Sequence, residues 1–228
     1  MKDYQGKRAV ALVSGGLDSV VSLAMAAAEM DVRLVLFFDY GQRALERERN
    51  AVMGAINYYN LPFQEVDTRW LGRLAPEGMR QNPRATDESE SQSLLDTLDA
   101  VWVPNRNGVF LNIGAAYAEA YDCDYVVTGF NREEAAEFPD NSEEYVSRVN
   151  VGLEMSTRNH VTVASFAQGL DKREILEMGH KLGAPLSVIW SCYHSRELMC
   201  GRCTSCRRLK SAIAALDEGL RPPVQFEE

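Results

Sequence analysis

Short unbroken apolar runs alternate along this chain with segments whose apolar residues recur at helical spacing. The first run, Ala9–Val13, lacks the polar alternation of a half-exposed strand and reads as a parallel strand buried on both faces. A helical pattern carrying Val20, Val21, Leu23, Ala24 and Ala27 follows at once. Arg33–Phe38 predicts a second parallel strand, running into the polar turn Asp39-Tyr40-Gly41-Gln42. A helix over about 44–60 places Val52, Ala55, Ile56 and Tyr59 on one face and stops at Leu61-Pro62. Phe63–Val66 is a third, short strand.

The pattern then lapses. Residues 76–96 are polar with no period, and read either as a mobile loop over a site or as a disordered insertion. Order resumes with a helix over 108–121, bearing Phe110, Ile113, Ala116 and Tyr117 on one face, and a buried strand Tyr125–Thr128. Asn141-Ser142-Glu143-Glu144 has the spacing of a capping box for a helix to about Thr157. His160–Ala164 alternates as a strand. Asp171-Lys172-Arg173-Glu174 is a second box, opening a helix to about Leu182 with Gly183 and Pro185 beyond its end. Strands alternating with helices, without internal repeats, predict the α/β class: a doubly wound parallel sheet over about residues 1–185. From about Leu186 the strand period is gone, and 186–228 is expected to form a small cysteine-rich appendage with a terminal helix.

Between the first strand and first helix stands Ser14-Gly15-Gly16-Leu17-Asp18-Ser19. Strand, glycine turn and helix N-terminus together hold phosphate, because free N–H groups and the positive end of the helix dipole face the anion. Gly15 and Gly16 let backbone approach the ligand and take φ > 0 where needed. Ser14 and Ser19 add hydroxyls. Asp18 would repel phosphate directly, so it either caps the helix or acts through magnesium. No lysine follows the glycines as in GxxxxGK[ST], and the GxGxxG spacing is absent. The form S-G-G-x-D-S resembles the pyrophosphate loop of the PP-loop ATP pyrophosphatases, which implies ATP bound for adenylate transfer.

Composition narrows the setting. With 228 residues and 46% hydrophobic content the chain can bury a substantial core. No run has membrane-span length and the first residues lack a signal peptide's apolar stretch, so a cytoplasmic protein is expected. A net charge of −9 makes a poor tRNA binder, although Arg202, Arg207, Arg208 and Lys210 could form a local basic patch. Five cysteines occur, four of them within Cys192–Cys206. Cys200, Cys203 and Cys206 form overlapping C-x-x-C pairs and Cys192 can close an all-thiolate site, which suits a structural zinc with no position left for water. Four cysteines also support an iron–sulfur cluster. Cys123 reads as a small buried residue.

Two further groups sit where strands should end. In Val103-Pro104-Asn105-Arg106-Asn107, Arg106 offers a fixed fork of donors for carboxylate or phosphate, and Asn107 can orient a base edge or cap a helix. In Thr128-Gly129-Phe130-Asn131 and Phe138-Pro139-Asp140, Gly129 allows a planar ligand to approach, Phe138 can stack on it, and Asp140 can accept from an amino-pyrimidinone edge.

Taken together, Ser14–Ser19, Phe38-Asp39-Tyr40-Gly41-Gln42-Arg43, Val103-Pro104-x-Arg106-Asn107, Thr128-Gly129-x-Asn131, Phe138-Pro139-Asp140 and the four cysteines resemble the 7-cyano-7-deazaguanine synthases, collinearly from about Arg8 to Leu216. The resemblance implies a homodimeric PP-loop ligase of adenine nucleotide alpha hydrolase-like fold. Such a ligase converts 7-carboxy-7-deazaguanine and ammonia to the 7-cyano base with ATP and Mg(2+). It further implies ATP along Val13, Ser14, Gly15, Gly16, Leu17, Asp18, Ser19, Val20, Val21, Ser22 and Leu23, with Ser14, Asp18, Ser19 and Arg106 catalytic. The acceptor would meet Tyr40, Gln42, Arg106, Asn107, Gly129, Asn131, Phe138 and Asp140, and Cys192, Cys200, Cys203 and Cys206 would hold zinc. Many members carry Tyr-Pro-Asp-Cys-Arg where this chain has Phe138-Pro139-Asp140-Asn141-Ser142, and Asp where Glu134 falls. Both departures lie in the expected base pocket. Other readings are a PP-loop ligase or tRNA-modifying enzyme with another acceptor, and an ATP-binding sensor without turnover.

Overall fold

The first apolar run becomes β1 (Arg8–Leu12), the middle strand of a sheet completed by β2 (Asp31–Asp39), β3 (Phe63–Asp67), β4 (Tyr125–Thr128) and β5 (Thr162–Ser165). All pairings are parallel and the spatial order is β3-β2-β1-β4-β5. This computed structural model describes residues 4–75 and 102–227, so the polar stretch 76–96 lies outside the described residues. The helices are α1 (Leu17–Glu29), α2 (Leu45–Tyr59), the single turn α3 (Arg69–Gly72), α4 (Arg106–Ala120), the single turn α5 (Arg132–Ala135), α6 (Glu143–Ser156), α7 (Lys172–Lys181) and α8 (Thr204–Ala214).

The central strands carry apolar side chains at successive positions because both faces are covered. Ala9, Ala11, Val35 and Phe37 pack into one core with Val20 and Leu23 of α1, Val52 and Ile56 of α2, and Ile175 and Leu176 of α7. Val10, Leu34, Leu36 and Phe38 pack into a second core with Leu111 and Ala115 of α4 and Leu153 of α6. This is the two-sided burial expected of a doubly wound sheet. The cysteine-rich C-terminal segment shares the first core: Cys192, Met199, Cys200, Cys203, Cys206 and Leu209 belong to it.

Local signals explain most boundaries. Asp171 and Glu174 form the reciprocal capping box at the start of α7, with both bonds at 2.9 Å. The other expected box does not form. Asn141 ends a 3-10 turn, and Ser142 caps α6 by accepting from Tyr145 N–H at 3.1 Å, so the third helical residue is a tyrosine and not Glu144. Helix α4 starts two residues before the expected Gly108, because Asn105 takes a left-handed conformation (φ 51°) and turns the chain into the helix at Arg106. At the sheet edge, Asn150 of α6 turns its amide onto β5, accepting from Val163 N–H at 2.7 Å and donating to Val163 O at 3.2 Å. That blocks one repeat of an exposed strand edge.

The two glycines of the phosphate loop are not equivalent. Gly15 has φ +82°, and a Cβ there would lie 2.7 Å from both the Ala51 Cβ and the Glu48 carbonyl oxygen. Gly16 has extended backbone, and its Cβ would meet only Ser14 Oγ at 3.5 Å and Trp190 O at 4.0 Å. Gly15→Ala is therefore expected to cost at least about 2 kcal/mol, from left-handed strain and overpacking against α2. Gly16→Ala should leave stability within about 0.5 kcal/mol of wild type. Urea denaturation of the two variants side by side checks the difference; equal losses would refute it.

Candidate active site

The carboxyl ends of the three central strands open into one cleft of about 320 Å³. It is lined by Leu12 and Val13 at the end of β1, Phe38 and Tyr40 at the end of β2, and Thr128 and Gly129 at the end of β4. Open parallel sheets place ligands at this edge, where the chain leaves neighbouring strands toward opposite faces.

The phosphate loop forms its floor. Ser19 Oγ is a hub: it accepts from Ser14 N–H at 3.2 Å, donates to Gly16 O at 3.0 Å and lies 3.2 Å from Ser14 Oγ. Gly16 is the N-cap of α1, and the first intrahelical bond runs from Val20 N–H to Gly16 O, so the amides of Leu17, Asp18 and Ser19 have no intrahelical acceptor. Ser14, Gly16, Leu17, Asp18 and Ser19 line the cleft. Val20, Val21, Ser22 and Leu23 do not. They lie further along α1 and are buried, Val20, Val21 and Leu23 against the sheet, so the helix carries them away from the expected nucleotide.

Asp18 is not a cap, since no side chain caps α1. Its Oδ2 lies 2.7 Å from Lys172 Nζ, which is also 3.3 Å from Glu134 Oε1. Lys172 is only 5% exposed. Burial alone would lower its pKa, but the carboxylates of Asp18 and Glu134 outweigh burial and hold the ammonium well above the usual lysine range. The lysine missing from the loop in sequence thus arrives from the first turn of α7. Nothing local to Lys172 announced this, because a lysine at a helix start is ordinarily solvated. Asp18 Oδ1 is buried with no partner among the described residues, a free acceptor of the kind a divalent cation uses.

Across the cleft, Arg106 stands at the start of α4. Its guanidinium lies 5.5 Å from the Tyr40 ring centroid, and Nη1 donates to Tyr40 Oη at 3.4 Å. It faces Asp140, whose carboxyl is pushed up by burial against the pull of Arg106, Asn141 and Asn107. The Phe138 and Trp102 rings are nearly parallel (9°) with centroids 6.4 Å apart, making an apolar wall. The departure at Asn141 has a local use: its Nδ2 donates to Asp140 Oδ1 at 3.0 Å.

Three expected acceptor contacts change meaning. Asn131 is fully buried and does not line the cleft; its Oδ1 caps α5 by accepting from Glu134 N–H at 2.9 Å. Gly129 is small for the protein's own sake, because a Cβ there would lie 2.8 Å from Ser19 N and 2.9 Å from Ser19 Cα. Gln42 uses both ends of its amide internally, taking Tyr40 N–H at 3.0 Å and donating to Phe38 O at 2.9 Å and Glu48 Oε2 at 3.0 Å. Tyr40, Gln42, Arg106, Asn107, Gly129, Phe138 and Asp140 all line the cleft, as do Glu48, Trp102, Lys172 and Tyr193, which sequence reasoning missed.

The four cysteines converge behind one wall. Cys192, Cys200, Cys203 and Cys206 are buried, and their sulfurs lie within 4.8 Å of one another. Cys200 and Cys206 sulfurs are 3.9 Å apart, close to the ~3.8 Å edge of a tetrahedron with ~2.3 Å metal–sulfur bonds. Backbone N–H groups of His194 and Cys200 point at Cys192 Sγ (3.4 Å each), as suits a thiolate. The donor set fits a four-coordinate metal. Ser191, Cys192 and Tyr193 also line the cleft, and Arg208 of α8 pairs with Glu137 at 2.5 Å, so the cysteine segment forms part of the site wall.

Replacing Lys172 by Met would leave Asp18 and Glu134 facing each other without a cation. We expect a loss of about 3–5 kcal/mol in denaturant unfolding. The loss should shrink at mildly acidic pH, where one carboxylate can protonate; a pH-independent loss would refute the charge argument.

The family described as Queuosine biosynthesis protein QueC matches residues 8–217, a span that takes in the cleft and all four clustered cysteines. A protein of Pelotomaculum thermopropionicum is 49% identical over 207 residues, covering 88% of this chain and 94% of its own. One of Carboxydothermus hydrogenoformans is 44% identical over 210 residues (90% and 98%), and one of Desulforamulus reducens 41% over 224 (95% and 97%). All three are named 7-cyano-7-deazaguanine synthase. With a match of this length across the phosphate loop, the Arg106–Asp140 wall and the cysteine cluster, the chain belongs to the QueC family of queuosine biosynthesis proteins.

Proposed function

We propose that this protein is an ATP-dependent 7-cyano-7-deazaguanine synthase, joining ammonia to 7-carboxy-7-deazaguanine. One observation carries the reading: a phosphate loop, a buried lysine and an Arg106–Asp140 pair flanked by aromatic rings share a single cleft. ATP phosphates lie on the amides of Leu17–Ser19 with Ser14 and Ser19 hydroxyls beside them, and Lys172 offsets the negative charge of Asp18. Magnesium, when bound, would neutralise phosphate charge at the free oxygen of Asp18. The planar base lies along Phe138 and Trp102, with its amino-pyrimidinone edge on Asp140 and its carboxylate toward Arg106.

A carboxylate conjugated to an electron-rich pyrrole is a poor electrophile. Transfer of the adenylyl group gives it a leaving group, ammonia displaces AMP to form an amide, and a second activation of the amide oxygen followed by its elimination leaves the nitrile. The protein's part is positioning and charge stabilisation in a site walled by Phe38, Phe110 and Trp190.

Zinc is the metal proposed for the cysteine cluster, in a structural role within 186–228, beside an ATP-binding unit over 1–185. The homodimer and cytoplasmic location rest on the family resemblance; no helix among the described residues is long and apolar enough to cross a membrane. A small-molecule acceptor is favoured over tRNA because the basic residues near the C-terminus are already engaged. Arg208 pairs with Glu137, Lys210 lies over Phe226, and Arg202 and Arg207 also have partners.

Incubation with the carboxylic acid, ATP and ammonium, read by mass spectrometry, should yield the amide and then the nitrile. Asp140→Asn should weaken acceptor binding by about tenfold or more, the worth of a desolvated contact to a charged acceptor, with ATP affinity unchanged. Calorimetry showing the opposite pattern would place Asp140 in the nucleotide site. Metal analysis should find one zinc per chain in a colourless protein, and Cys203→Ser should lower both metal content and melting temperature, since metal-binding energy is folding energy in such a cluster. A brown, iron-containing preparation would overturn the zinc assignment.

A further inference from the structure

The reaction proposed above needs a group that neither the phosphate loop nor Arg106 supplies. At neutral pH the nitrogen substrate is mostly ammonium, which has no lone pair, so something must hold the cation and take its proton. The cleft-lining carboxylates among the described residues are Asp18, Glu48, Glu134 and Asp140. Asp18 and Glu134 meet Lys172, and Asp140 faces Arg106 and is held by Asn107 and Asn141. Glu48 instead bonds a neutral amide, Gln42 Nε2 to Oε2 at 3.0 Å, which leaves its second oxygen uncommitted among the described residues.

Its placement is fixed. Gln42 cannot turn its amide over, because its oxygen takes Tyr40 N–H and its nitrogen also reaches Phe38 O. The Glu48 backbone presses on the phosphate loop at Gly15. On the other side Arg106 is near enough to act on the carboxyl group. Glu48 therefore lies between the phosphate loop and Arg106, where an activated carboxyl group would have to sit.

We propose that Glu48 is the ammonium-binding residue and general base of this protein, delivering neutral ammonia to the activated carboxyl carbon. The first proton passes from ammonium to the Glu48 carboxylate. The freed lone pair forms the C–N bond, the tetrahedral adduct collapses, and the C–O electron pair leaves with AMP. The second proton then passes from nitrogen to solvent, giving the amide. Burial raises the carboxyl of Glu48 to about 7, against the lowering pull of Gln42 and Arg106. A base with a pKa near the working pH is the efficient one. The ionisable groups facing it are Arg106 and Tyr40. On its own helix Arg47 lies over Trp190, while Arg49 pairs with Glu46 and Glu65.

The proposal rests on the synthase reading, so the test separates the two. Exchange of pyrophosphate into ATP with the deazapurine acid, without ammonia, reports adenylation alone. Amide formation from ammonium reports the base, and hydroxamate formation from hydroxylamine, which is neutral at neutral pH, bypasses it. Glu48→Gln should keep exchange within about twofold, lose about 10²–10⁴-fold in ammonium-dependent turnover, and retain hydroxamate formation. Its pH profile should lose the limb near 7. Gln42→Leu removes a donor that holds the carboxyl down, so it should move that limb to higher pH while turnover persists. Equal loss with ammonium and hydroxylamine, loss of exchange, or unchanged ammonium turnover would overturn the proposal. Absence of exchange in wild type would instead remove the synthase reading itself, and Glu48's role with it.

Discussion

An ammonium group buried between two carboxylates ties together the parts on which the cleft depends. Lys172 opens α7, Asp18 stands 154 positions earlier in the first turn of α1, and Glu134 lies in α5 after β4. Removing such charges from water costs several kcal/mol each, and only close pairing offsets it. Apolar side chains would fill the same space with less penalty. The pair makes physical sense beside a phosphate loop, where the negative charge of Asp18, left alone, would repel a polyphosphate. The same contact holds α1 to α7 and to the turn α5 that follows β4, and Gly129 at the end of β4 leaves no room for a Cβ against Ser19.

Around this tie the cleft divides by chemistry. Hydroxyls and free helix amides gather at the phosphate loop, and Arg106, Asp140 and flat aromatic rings gather opposite. Glu48 stands between the two. Because these groups are withdrawn from water, charges among them interact more strongly than in bulk solvent, and the same burial raises the carboxyls of Glu48 and Asp140. Binding and acid–base behaviour thus share one physical origin.

The cysteine segment is part of this arrangement and not remote from it. Cys192 belongs both to the sulfur cluster and to the cleft lining, and its neighbours Ser191 and Tyr193 form the same wall. The loop that leads into this cluster carries Trp190, whose backbone N–H donates to Gly15 O at 2.9 Å and so braces the phosphate loop. One backbone hydrogen bond thus joins the cysteine segment to the glycine turn after β1.

The sequence by itself determined the α/β alternation, the phosphate loop and the thiolate cluster. Each is encoded locally, by apolar runs, by glycines between strand and helix, and by C-x-x-C spacing. It also marked Tyr40, Arg106, Asn107, Phe138 and Asp140, which do line the cleft, because the family pattern spans both strand ends. Of the expected nucleotide segment, Val20–Leu23 are buried along α1 and do not line the cleft, since linear adjacency cannot tell where a helix turns a residue into the core. It placed Asn131 at the acceptor although that side chain caps α5. Lys172, Glu48 and Trp102 carry no local signal. They become cleft residues only when α7, α2 and the segment before α4 fold over the same three strand ends; burial then raises the Glu48 carboxyl, and the Asp18 and Glu134 carboxylates raise the Lys172 ammonium, in a way no one-dimensional pattern records.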